Sequence, residues 1–465
     1  MHPTNPRYFA DGTKQADGTL RAVYLTGSHT WSNLQDVGET NPPPAFDFNG
    51  YLDFLSKHRH NFVRLWRWEL TEWKGWKEGK APLRFGAQHP WKRTGPGMAL
   101  DGQPKFDLTK WNDEHVDRLR ARAKAAGERG IYVSIMLFEG WCVRERPSNW
   151  EGHAMNVANN INGINGDPDG DGFGLEVQML QVPEITDLQK AYIRNVIDAV
   201  NDLDNVLYEI SNESLYRPAI LNWQEEMIKY INHYQAGKPK QHPVGMTNLV
   251  GYSAKEKAAS HAAMYASPAT WVSPGMPIFS PKDPYTINPP ASQGRKVEVL
   301  DSDHVFGNTC MTNSKENRVG GAWVWKAFLR GYHPIYMDPL DLSRPNAMME
   351  FVEYNTAAVL AARAAMGHTR HYADKMNLAA MTPQDGMSST GYCLANTGQE
   401  FLVYQPLANV AFTVVLQAGE YRFQWFNPSL GKAAESRSLI VETGDRSFTA
   451  PFPGDAVLHI SKANP

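Results

Sequence analysis

The sequence is short of cysteine. Cys142, Cys310 and Cys393 are the three among 465 residues, and they lie too far apart for any zinc or redox spacing. They set up no disulfide framework and read as buried thiols. Excess positive charge is missing too: 46 Lys and Arg against 49 Asp and Glu give a formal net charge of −3. That removes the basic footprint of a nucleic-acid binder and the polybasic patch of a membrane-surface protein. No apolar run reaches the roughly 18 residues of a membrane span. No G-x-G-x-x-G and no P-loop follows the first strand-like segment, which weakens a nucleotide-binding reading. The opening, MHPTNPRYFADGTK, has neither a basic start nor an apolar core, so no signal peptide is expected in it. Met1 can equally stand in for a removed leader. A secreted or periplasmic location is favoured, with a cytoplasmic one as the alternative.

Hydrophobic residues make up 42% and charged residues 20%, the composition of a globular chain with a sizeable core and two or three domains. Aromatics are plentiful, with 14 Trp and 19 Tyr. Many stand among charges, as in RLWRWELTEWKGW at 64–76. Flat rings with polar neighbours suit a wet cleft that receives sugar faces; packing in a core or interface is the competing reading.

Short apolar runs alternate with helix-like stretches. AVYLTGSHTW (22–31), NFVRLWRWEL (61–70), IYVSIMLFEGW (131–141), NVLYEISNES (205–214), PVGMTNL (243–249), TWVSPG, KVEVLDSDHVFG (296–307) and HPIYMDP (333–339) read as strands. Between them, 51–60, 112–130 and 186–204 read as helices, the last opened by Thr186 as N-cap. Strands apolar on both faces belong in a covered parallel sheet. The fold class is therefore α/β, a (β/α)8 TIM barrel over residues 1–374, preferred to a doubly wound sheet. From 375 to 465 the helical patterns stop, and short strands with Gly, Asn and Pro turns predict a small antiparallel β-sandwich. The Asn- and Gly-rich loop at 142–180 is long enough to suggest a function.

Active sites of such barrels face the strand C-termini. Polar residues gather there: His29 and Trp31, Arg64 and Trp66, Glu139 and Trp141, Asn212 and Glu213, Asp301 with Asp303 and His304, then Asp338. Paired carboxylates with aromatic walls are the equipment of glycoside hydrolysis. One is held protonated for the leaving oxygen, and the other attacks the sugar carbon or activates water. Burial near Trp would raise the pKa of Glu213, and Arg64 would hold an aspartate ionised.

At these residues the chain resembles a family. Asn212-Glu213 at the end of the fourth strand, with Arg64 at the end of the second, is similar to the pattern of the (β/α)8 glycoside hydrolase clan that includes the family-5 cellulases and mannanases. YRFQWFNPSLGK resembles a stretch of the collagen-binding-type β-sandwich that follows such barrels. The resemblance implies that Glu213 is the acid/base and that Asn212 binds the sugar 2-hydroxyl. It also implies a Glu nucleophile at the end of the seventh strand, where this chain has VEVLDSDHVFG. Asp301 and Asp303 share one strand face, and either can be the nucleophile. Asp303 is slightly ahead because it lies nearer the strand's C-terminal edge. Glu298 has the opposite parity. The expected mechanism is retaining, on an oligo- or polysaccharide, with no cofactor required for catalysis and no nucleic-acid or membrane partner.

Other features bear on ligands. DPDGDG at 167–172 matches the start of a calcium loop through Asp167, Asp169 and Asp171, but the twelfth position is Gln178. A plain Asp/Gly turn is the competing reading. His58 and His60 lie at the barrel's other end and read as structural. His153, in an Asn-rich stretch, is a candidate sugar ligand. Two other functions stay open: a metal-dependent hydrolase using Asp301, Asp303, His304 and His29, and a non-catalytic glycan-binding protein.

Overall fold

The computed structural model describes residues 1–15, 18–74, 83–144, 147–275, 284–301, 320–338 and 357–463. Asp303, His304 and Cys310 lie outside the described residues. Cys142 and Cys393 are buried free thiols. Among the described residues no helix is long and apolar enough to cross a membrane.

Eight parallel strands form a nearly closed barrel. They are β1 (Gly27–His29), β2 (Phe62–Leu65), β3 (Tyr132–Glu139), β4 (Val206–Asn212), β5 (Val244–Thr247), β6 (Trp271–Ser273), β7 (Val297–Asp301) and β8 (His333–Met337). Each pairs with its sequence neighbour from β2 through to β8, and β8 then pairs with β1. Alternate side chains explain why the runs are apolar throughout. Val63, Leu65, Val133, Ile135, Val206, Tyr208 and Ile210 point outward into the layer of helices. Phe62, Leu207, Trp271, Val297, Val299 and Ile335 fill the floor of the barrel. Gly245 makes room for that filling, since a Cβ there would lie 1.9 Å from the Trp271 indole. Continuing the inward rows upward gives Arg64, Glu209 and Asp301, so the core turns polar toward the strand C-termini.

The longer helices among the described residues are α1 (Phe48–Lys57), α2 (Asp113–Gly127), α3 (Pro183–Val200), α4 (Pro218–Ala236), α5 (Ala254–Ala266), α6 (Gly321–Leu329) and α7 (Ala357–Lys375). Asp47 and Asn112 cap α1 and α2 with their side chains, and Ser253 with Glu256 forms a capping box on α5. Thr186 is not an N-cap. Pro183 starts α3 three residues earlier, because its fixed φ and missing N–H suit a first turn. An antiparallel hairpin, Trp91–Met98 with Pro104–Trp111, stands between β2 and α2.

Two strands are shorter than the apolar runs suggest, for one reason: side-chain amides replace the ladder. Asn33 Oδ1 accepts the Trp66 N–H at 2.7 Å, and Gln35 Oε1 accepts that of Trp68 at 2.6 Å. Asn61 does the same at the barrel seam. Its N–H donates to Thr26 O at 2.9 Å. Its Oδ1 accepts the Thr26 N–H at 2.9 Å, and its Nδ2 donates to Tyr24 O at 2.8 Å.

Past α7 the chain forms an antiparallel β-sandwich. Its strands are β9 (Cys393–Asn396), β10 (Glu400–Gln405), β11 (Phe412–Leu416), β12 (Gly419–Asn427), β13 (Lys432–Val441), β14 (Gly444–Phe448) and β15 (Ala456–Lys462). β11 and β14 make a two-stranded sheet of their own. Phe401, Val403, Phe412, Val414, Trp425, Leu458 and Ile460 share one core. The other face of the sandwich rests on the barrel: Trp325 of α6 stacks on Tyr404 at 6.1 Å.

Asn61→Ala is expected to open the seam. It strands a buried N–H and a buried carbonyl, at about 1–3 kcal/mol each. The denaturant midpoint should fall with an unchanged m-value; an unchanged midpoint would show that the seam does not depend on this amide.

Candidate active site

Arg64 rises from β2 into the barrel mouth, where a bare guanidinium would be costly to bury. Its fork meets the ends of β4 and β7. Nε donates to Glu209 Oε2 on β4 at 2.9 Å, and NH2 donates to Glu209 Oε1. NH1 donates to Asp301 Oδ2 at the end of β7 at 2.7 Å, and NH2 also reaches Asn212 Oδ1 at 2.8 Å. From β1, His29 Nε2 lies 3.1 Å from the other Asp301 oxygen. The guanidinium sits 4.7 Å above the Trp66 ring.

Because Asn212 Oδ1 faces Arg64, its Nδ2 faces Glu139, at 3.2 and 3.4 Å from the two carboxyl oxygens. Glu139 is fully buried, and it accepts the Trp141 N–H at 3.1 Å. Burial pushes its pKa well above the usual carboxylate range, and the neighbouring Glu213 charge adds to this. Glu139 is thus a carboxyl with a raised pKa at the site. Glu213 instead carries the Arg144 guanidinium: NH2 pairs with its Oε2, and Nε donates to its carbonyl at 2.8 Å.

The backbone under Glu213 is unusual. Its φ is +47°, in a region that a residue with a long side chain enters rarely and at a cost. Gly140 lies against this turn. A Cβ at Gly140 would stand 2.4 Å from Ser214 N and Cα, so only glycine lets the ends of β3 and β4 nest.

A second layer supports the first. Glu69 accepts the Glu139 N–H at 2.7 Å. Burial would raise the Glu69 pKa, but Arg67, His153 and that N–H together lower it. His153 Nε2 lies 3.4 Å from Glu69, and its ring stacks on Trp150 at 4.7 Å. His153 therefore ties the long loop to β3 and is buried rather than presented to a ligand.

The structure thus brings together His29, Arg64, Glu139, Asn212 and Asp301, with Glu213 beside Glu139. Other expectations need correction. Trp31, Trp66 and Trp141 are as buried as Arg64 and His29, Trp66 at 2% exposure, and among the described residues they pack as a cluster rather than present open faces. Trp66 tilts against Trp68 at 6.1 Å, and Trp141 meets Trp68 edge-on at 5.5 Å. Their charged sequence neighbours misled because these too are buried and paired, as Arg67 is with Glu69 at 3.3 Å. Asp338 is taken up by Arg363 of α7, whose Nε donates to it at 2.7 Å. Glu209, Arg144 and Glu69 were not foreseen. Glu209 had a signal, an acid at an inward position of a buried strand; Arg144 had none in the local pattern.

A family model described as a domain of unknown function, DUF6298, matches residues 77–250. This span holds Glu139, Arg144, Asn212 and Glu213, and leaves out Arg64 and Asp301. No curated protein matches the chain. Solved structures share its architecture. One is a glycoside hydrolase, 11% identical, with a TM-score of 0.57 over 99% of this chain and 97% of that one. Another is a family 5 glycoside hydrolase from Bacteroides vulgatus, 12% identical, with a TM-score of 0.59 over 98% and 93%. An Anoxybacillus α-amylase is 11% identical, with a TM-score of 0.51 over 95% and 98%. At such identities the likeness is one of fold.

The raised pKa of Glu139 has a thermodynamic consequence. A carboxyl whose folded pKa lies above its unfolded value of about 4.3 stabilises the fold fully below that pH. The stabilisation is lost as pH rises through the folded pKa. Glu139→Gln, which mimics the protonated form, should gain in melting temperature over the parent as pH is raised from about 4 to 8. A difference that does not change with pH would contradict the assignment.

Proposed function

We propose that the protein is a glycoside hydrolase that cleaves O-glycosidic bonds of an oligo- or polysaccharide by a retaining mechanism. Glu213 is the general acid/base and Asp301 the nucleophile; Asp303, the other candidate, lies outside the described residues. One observation carries the reading: the Arg64 fork holds Asp301, at the end of β7, and Asn212, next to Glu213 at the end of β4, on a single guanidinium. Solved glycoside hydrolases of the same fold support it.

In the first step an Asp301 oxygen attacks the anomeric carbon while Glu213 gives its proton to the departing oxygen. Arg64 and His29 hold the Asp301 carboxylate and fix its direction. The product is a glycosyl ester on Asp301 and a free alcohol. In the second step Glu213, now a carboxylate facing Arg144, takes a proton from water as that water attacks the same carbon and releases Asp301. Retention requires the two carboxyl groups about 5–5.5 Å apart. Glu139, whose pKa burial raises, is a positioning residue that accepts from Asn212 and directs its amide. The metal-hydrolase alternative is disfavoured by the donor set, since a guanidinium already occupies the Asp301 carboxylate. The same proposal places the chain outside the cytoplasm, where polymeric sugars are met, and makes the sandwich an accessory module.

The test is a panel of aryl glycosides and polysaccharides. Glu213→Ala should lose about 10²–10⁴-fold on natural linkages and far less on substrates with good leaving groups, which need no proton. Equal loss on both would remove Glu213 from the acid role. Arg64→Ala should lower kcat/KM on both classes alike; an unchanged value would separate Arg64 from the chemistry.

A further inference from the structure

We infer that the loop from Asp167 to Glu176 binds a calcium ion, with Asp167, Asp169 and Glu176 as its side-chain ligands. One carboxylate oxygen from each of the three lies within 4.8 Å of the others. An acidic cluster alone would be a solvated turn. The second observation is Glu176. It is only 8% exposed, and its Oε2 has no hydrogen-bond partner among the described residues. A buried carboxylate oxygen without a donor needs a partner, and the groups beside it are carboxylates. A cation at the centre supplies the missing partner.

The donor chemistry selects the ion. All three ligands are carboxylates and none is His or Cys, which suits a hard cation over zinc. Calcium accepts six to eight oxygens in flexible geometry, whereas magnesium demands a near-ideal octahedron. A loop that offers three carboxylates, with carbonyls and waters to complete the shell, fits calcium. The loop departs from the D-x-D-x-D-G pattern in one ligand. Asp171 is not in the cluster; its Oδ1 accepts the Phe173 N–H at 2.8 Å. The third ligand comes from the tenth position, Glu176, carried on the short 3₁₀ turn Leu175–Gln178. Gln178, at the twelfth, donates to Ser211 Oγ on β4 at 3.2 Å.

The site is joined to the rest of the molecule. Trp150 packs so closely on Gly166, just before the loop, and Gly174, within it, that a Cβ at either would lie within 2.7 Å of the indole. His153 stacks on the same indole. An ion that fixes the loop therefore also fixes the support of Glu69 and Glu139.

The experiment uses the full chain, freed of metal by a chelator and titrated with calcium chloride alone. The melting temperature should rise by several degrees and saturate, because an ion bound only by the folded state stabilises it. Terbium should give emission sensitised through Trp150 and displaced by calcium. Glu176→Gln, nearly isosteric and so expected to fold, should weaken both responses at least tenfold in midpoint. Asp167→Ala with Asp169→Ala should abolish them. Absence of both responses in the parent protein would overturn the site. Equal responses in Glu176→Gln would overturn this ligand set, and an equal thermal shift with magnesium would overturn the assignment to calcium.

Discussion

The site depends on one buried charge. Arg64 stands inside the barrel, where a lone guanidinium would be costly, and the ends of β4 and β7 are arranged to answer it. Glu209 supplies the bidentate counter-charge on β4. Asp301 and the Asn212 amide take further donors of the fork. Removing one partner would leave the others as uncompensated charges in a low-dielectric interior, so the set behaves as a unit. The result is a fixed relation between the ends of β4 and β7, which two-carboxylate chemistry requires.

Around this unit the chain builds outward by substitution of side chains for backbone. Asn33, Gln35 and Asn61 take hydrogen bonds that a longer β1 or β2 would have made. This frees residues 66–73 to fold into a packed tryptophan cluster beneath the site. Glu69 leaves that segment to hold the β3 end by its Glu139 N–H. Glu213 then turns away in a positive-φ conformation that only Gly140 leaves room for. The polar layer at the strand ends and the loop segment that carries Trp150 and His153 are thus one connected support.

The barrel and the sandwich were legible because burial on two faces and on one face leave different patterns, and eight doubly apolar runs are hard to place otherwise. Strand ends were less legible, since a side-chain amide that replaces a ladder bond leaves no periodic mark. The motif at Asn212-Glu213 and the charge of Arg64 were visible as polar stops on apolar runs. What charge pairs with what was not, because it depends on register between strands far apart in sequence. Trp66 and Trp141 were misread for the same reason: Arg67 and Glu69 look like surface in one dimension and are a buried pair in three. Asp338 resembled a site residue until Arg363, in α7, met it. Glu209 was overlooked though its inward parity was available.

The most direct measurement of the relation between Arg64, Asp301 and Glu213 is covalent trapping. The protein is incubated with a series of 2-deoxy-2-fluoro glycosides bearing good leaving groups, then digested, and the labelled peptide is located by mass spectrometry. The expected result is a single glycosyl ester on Asp301, formed only when Arg64 is intact. A label on Glu139 or Glu213, or turnover with inversion and no label at all, would contradict the assignment of Asp301 as the nucleophile.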